Sequence, residues 1–74
     1  MNKERRKSII DSVIKITEAK NRLQEVLNDE QFVYDNMPEN LQGSMRGQES
    51  EEAIECLEEA IDQLTEAIAQ LENI

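Results

Sequence analysis

Residues 52–72 read E-A-I-E-C-L-E, E-A-I-D-Q-L-T, E-A-I-A-Q-L-E. Ile54, Leu57, Ile61, Leu64, Ile68 and Leu71 step alternately by three and four residues. That is a heptad with Ile at a and Leu at d, the period of a helix packed along one seam. Ala53, Ala60 and Ala67 fall at every g position, where small side chains widen the apolar stripe and admit a second helix at close range. Ser50 reads as an N-cap, with Glu51 and Glu52 at the positive end of the helix dipole. The pattern predicts a helix over 49–73.

An apolar stripe of this length needs something to cover it, and the first half of the chain supplies it. Ile9, Val13, Ile16, Leu23, Val26, Leu27 and either Val33 or Tyr34 mark one face, which Lys20 and Glu30 interrupt. With no Gly or Pro before Pro38, residues 3–35 are expected to form one helix. The two helices would then each be about 40 to 50 Å long, at a rise of 1.5 Å per residue. The fold class is all-α: an antiparallel, coiled-coil-like two-helix hairpin making one domain over 1–74. The expected core is Ile9, Val13, Ile16, Leu23 and Leu27 against Ile54, Leu57, Ile61, Leu64, Ile68 and Leu71.

A single hairpin leaves each stripe partly wet. Ile10 and Ile14 lie at the flank of the first helix, and with Ala53, Ala60 and Ala67 they make the candidate dimer interface. A chain of 74 residues usually needs a disulfide, a metal or a second copy to be stable. Cys56 is the sole cysteine and histidine is absent, which removes an intrachain disulfide and a thiolate–imidazole metal site. The expected partner is therefore a second copy, the two hairpins forming a four-helix bundle.

Charge favours an antiparallel arrangement of the two copies. The net charge is −9, yet residues 1–34 carry seven bases against six acids, while 48–74 carry nine acids and no base. Antiparallel pairing brings the Lys3-to-Lys7 end of one copy beside the acidic start of the second helix of the other. Exposed pairs are worth a few tenths of a kcal/mol each, so they set orientation more than stability.

The connector, 36–48, is longer than two helices need. Pro38 stops the first helix and pushes Met37 out of the α region. Asn36 with Glu39 fits a capping box, so P-E-N-L-Q is expected to make one helical turn, ended by Gly43 in a left-handed conformation. Gly47 would be a second adjustable point. Two readings stand side by side. In one, Met37, Leu41 and Met45 fold down as a plug on the bundle end. In the other, Tyr34, Asn36, Glu39, Asn40, Gln42 and Arg46 form a partner-binding tip, since long loops in small domains often carry function.

The stretch Y-D-N-M-P-E-N-L-Q-G-S, Tyr34 to Ser44, resembles the motif of a family of small helical-hairpin proteins encoded by Gram-positive bacteria and their phages. The likeness covers those residues and, beyond them, the acidic E-A-I-x-x-L helix. It implies a mobile-element context, and no catalytic residues come with it.

The residues themselves offer no catalytic chemistry. A nucleophile needs an adjacent base, and Cys56 sits alone at an outward c position. Paired carboxylates are plentiful, but acid catalysis needs a pKa raised by burial, and Glu51, Glu52, Glu55, Glu58 and Glu59 belong to a wet face. No E-x-x-H pair, calcium loop, phosphate loop or dinucleotide fingerprint occurs. Catalytic residues, cofactor-binding residues and metal ligands are thus all expected to be none. Phe32 and Tyr34 are the only aromatics, too few for base stacking, and M-N-K-E-R-R-K reads as a solvated helix start, so direct nucleic-acid binding is not expected.

The lone thiol and the absence of a signal peptide or an apolar run of about 20 residues point to the cytoplasm, that of the host cell if phage-encoded. Three functions fit. The first is a non-enzymatic interaction module, a dimeric hairpin docking on a protein partner. The second is an acidic mimic of nucleic acid that inhibits a host DNA- or RNA-binding or defence protein. The third is a structural or assembly component of a phage. The first is favoured, because acids at b, c, e and f are what any soluble coiled coil needs.

Overall fold

A computed structural model describes residues 1–74. The chain is all-α, 88% helical and without strands. Helix α1 spans Lys3–Asp35, α2 Glu39–Gln42 and α3 Met45–Glu72. The molecule is a rod of 58 × 15 × 14 Å.

Helix α1 starts where the Asn2 side chain accepts the Arg5 N–H at 2.8 Å, satisfying one of the four donors a helix start leaves unpaired. It ends at Asn36, whose side-chain Nδ2 donates to the Phe32 carbonyl at 2.8 Å, while Met37 N–H donates to Tyr34 O. Three cross-helix bonds fix the direction of the return. Tyr34 Oη donates to Glu51, Ser50 Oγ to Glu30 Oε1 at 2.7 Å, and Lys20 Nζ to Thr65 Oγ1 at 3.2 Å. As the number falls along α1 it rises along α3, so the helices are antiparallel. At the far end Arg6 donates to the Ile74 carbonyl at 2.9 Å.

The least exposed α1 residues are Ile9, Val13, Ile16, Lys20, Leu23, Leu27, Glu30 and Tyr34, with Thr17 and Gln31 beside them. They step by four and three throughout. The seam is therefore continuous, Tyr34 and not Val33 completes it, and Val26 lies outside it, half exposed. Lys20 and Glu30 occupy seam positions without interrupting it, because Thr65 and Ser50 meet them from α3.

The core is small. Leu27, Ile54 and Ile61 are buried, with Leu23, Tyr34 and Leu57 packed on them. Ile9, Val13, Ile16, Leu64, Ile68 and Leu71 reach only half burial. Two helices touch along one line, so each seam residue keeps an edge in water.

The connector departs from expectation in four ways. Helix α3 begins at Met45, not at 49. Its N-cap is Ser44, whose Oγ accepts the Gly47 N–H at 3.3 Å, and Ser50 is an interior seam residue. Gly43 is right-handed, with φ −83° and ψ −1°. No residue has a positive φ. Asn36 and Glu39 form no capping box: α2 follows Pro38, which makes no side-chain cap and whose carbonyl instead accepts Leu41 and Gln42 N–H at 2.8 and 3.1 Å. Gly47 is no hinge but a helical residue beneath α2. A Cβ there would lie within 2.6 Å of the Leu41 carbonyl oxygen and closer still to that of Gln42.

Candidate partner-binding surfaces

The six tip residues divide into two groups. Tyr34, Asn36 and Gln42 hold the connector in shape. Tyr34 is half-buried and bonded to Glu51, Asn36 closes α1, and Gln42 Nε2 donates to the Tyr34 carbonyl at 3.2 Å. The hydrogen bond to the Glu51 carboxylate is the main reason the Tyr34 hydroxyl is held above its ordinary value of 10.0; desolvation and the negative charges of Glu51 and Asp35 act the same way. Glu39, Asn40 and Arg46 are exposed. Of the six, they alone have side chains that make no hydrogen bond within the hairpin.

The plug forms in part. Met37 is half-buried, but Leu41 keeps 46% of its surface in water and Met45 77%. Met45 points away because it opens α3 instead of belonging to the loop. Val33, Met37, Leu41, Ser44 and Arg46 together line a shallow groove of about 280 Å³ at this end.

The candidate dimer residues fall on two different flanks. Ile10 and Ile14 follow the seam residues Ile9 and Val13 by one position, whereas Ala53, Ala60 and Ala67 precede Ile54, Ile61 and Ile68 by one. Residues just after and just before a seam lie on opposite sides of it, and in an antiparallel pair like sides meet. The observed neighbours agree. Glu51 and Thr65, on the after-seam side of α3, bond to α1, and Glu72 on that side shares a groove with Ile10 and Ile14. On the other side Val33 of α1 shares the tip groove with Arg46, one heptad before Ala53. The alanines are half-buried, and Ile10 and Ile14 are 60% and 52% exposed. The sequence placed all five in one interface. The hairpin does not bring them onto one face.

The open end carries a groove that the heptad pattern does not announce. Ile9, Ile10, Val13 and Ile14 of α1 and Leu71 and Ile74 of the returning chain surround about 370 Å³, with Arg6 and Glu72 at the rim. Half burial of a seam at a helix pair's end is the signal that could have found it.

Cys56 is exposed, no three Asp, Glu or Cys side chains converge as a metal-binding group, and no helix is long and apolar enough to cross a membrane. No family model matches the chain, and no curated protein or solved structure is similar to it.

Proposed function

We propose that this protein is a non-enzymatic interaction module: a helical hairpin that pairs with a second copy and docks on a protein partner, working in the cytoplasm of a cell that carries a phage or similar mobile element. One observation carries the reading. Three apolar side chains are buried, while nine large ones stay substantially exposed, among them Ile10, Ile14, Val26 and Val33 along α1. Apolar surface left wet along one helix of a rod is what helix-on-helix docking uses. The tip adds Glu39, Asn40 and Arg46 as polar groups that spend nothing on the hairpin itself.

Sedimentation across a range of concentrations tests pairing, and a chain that stays monomeric throughout removes it. Affinity capture from cells carrying the parent element, with Glu39→Ala plus Asn40→Ala as the control, tests the tip. Loss of a captured partner with unchanged melting supports a recognition surface. Equal capture by both proteins removes the tip from the function.

The row of exposed acids on α3, including Glu51, Glu55, Glu58 and Asp62, favours a second reading, an inhibitor that imitates nucleic acid. Its partner would be a basic protein whose binding weakens steeply with salt. Salt-insensitive capture rejects it.

A further inference from the structure

We infer that the groove at the open end is closed by the same groove of a second copy, the two hairpins overlapping antiparallel about a two-fold axis near Ser12. The inference rests on the self-association proposed above and names the contact.

A two-fold interface must be complementary to itself, because the same patch appears on both sides. The open-end groove meets that condition. Its walls are apolar, with Ile9, Ile10, Val13 and Ile14 facing Leu71 and Ile74, so Ile10 and Ile14 of the two copies can meet in the middle. The tip groove does not meet it, since Arg46 is its only charge and two tips would set like charges together. Pairing through the alanine row would leave Ile10 and Ile14 wet on the opposite flank.

The remaining charges fit the same overlap. An antiparallel two-fold near Ser12 sets Lys7 and Lys3 level with Thr17 and Asn21 of the second copy. The bond from Lys20 to Thr65 shows which part of α3 lies at that level: the stretch carrying Asp62 and Glu66. The basic segment of a chain with net charge −9 then lies against acids, which favours this approach of two copies.

The geometry is measurable. Hairpins that overlap fully keep the 58 Å length of one copy. Overlap centred on Ser12 gives a particle of about 80 Å at 1.5 Å rise per residue, which small-angle scattering distinguishes. The pairing of Lys7 with Glu66 of the other copy is tested by charge exchange. In a dimer of the Lys7→Glu variant two carboxylates meet at each such contact, and in a dimer of the Glu66→Lys variant two ammonium groups do. Each variant alone should therefore dimerise about tenfold more weakly than wild type. Mixing the two variants restores both contacts and should restore the dimer, a result no change within one chain can produce. Circular dichroism of each variant confirms that its helices persist. A wild-type dimer near 58 Å, or variants whose mixture associates no better than either alone, overturns this contact and leaves the self-association reading standing. A wild type that never dimerises overturns that reading and this contact with it.

Discussion

A carboxylate at a seam position is stable only where something donates to it, and at Glu30 the donor is the buried Ser50 hydroxyl, 2.7 Å away. Ser50→Ala removes the donor and leaves a half-buried charge unpaired, so urea unfolding should show a loss of about 1–3 kcal/mol. A loss near zero would mean that Glu30 has simply turned to water. Tyr34 gives a pH signature. Its proton is held more tightly in the folded chain than in the unfolded one, so this bond favours folding below pH 10.0 and that contribution fades as pH rises through the higher folded value. Melting temperature should fall on the alkaline side in wild type, and Tyr34→Phe should lack that part of the fall. If the two curves run parallel, the Glu51 bond contributes nothing. Gly47 is the third case. Gly→Ala inside a helix ordinarily gains about 1 kcal/mol, but here the new methyl would strike the Gln42 and Leu41 carbonyls. Gly47→Ala should destabilise, and a raised melting temperature would show that α2 does not rest on α3. None of these three roles was legible in the sequence. Lys20 and Glu30 looked like breaks in a stripe because a single helix does not display the residue that will face it, and Gly47 looked like a hinge because glycine's other use, close backbone approach, needs the second element to be in place.

At the scale of elements the sequence was far more informative. The three heptads define α3 because Ile and Leu repeat without exception, and Pro38 bounds α1 because a residue without an N–H acts locally; the Asn2 cap is seen only in the fold. What failed was the start of α3. Ser44 and Ser50 are both able caps, and the choice between them is made by α2. The chain must turn upward directly after Gly43, where Ser44 can cap the next turn, while Ser50 is drawn to Glu30 on the other helix. Burial along the seam is uneven too. Ile61 is buried and Ile68, one heptad later, is half-buried, since the seam runs towards the open groove at that end. Ile61→Ala should therefore cost about 2–5 kcal/mol, the range for a large-to-small change in a core, and Ile68→Ala distinctly less. Equal losses measured by urea midpoints would imply that the open end is as well covered as the middle, as it would be within an assembly tighter than end overlap.

For the molecule as a whole, the question is what stabilises a rod with three buried apolar side chains. Helices within proteins gain most of their stability from packing an apolar face, and here α1 and α3 supply each other with one line of it. Below about 70–80 residues a single core rarely yields more than 3–5 kcal/mol, and this core is thinner than most. A second copy would raise stability by mass action, because it binds the folded chain and not the unfolded one. The melting temperature should then rise with protein concentration. Over about a hundredfold range the added stability should approach about 1.4 kcal/mol per chain well above the dissociation constant, because the free copy rises only as the square root of the total. In a domain of 60–100 residues, each kcal/mol moves the midpoint by about 4–8 °C, so the expected rise is large enough to see by calorimetry. The wild type and Ile14→Glu should behave differently. Ile14 is half exposed in the lone hairpin, so the substitution disturbs little within one chain, and its midpoint should lose most of the dependence on concentration while its low-concentration value stays close to that of wild type. A wild-type midpoint that does not move with concentration would mean that the single hairpin folds on its own seam, and the exposed isoleucines of α1 would then be surface kept for a different protein.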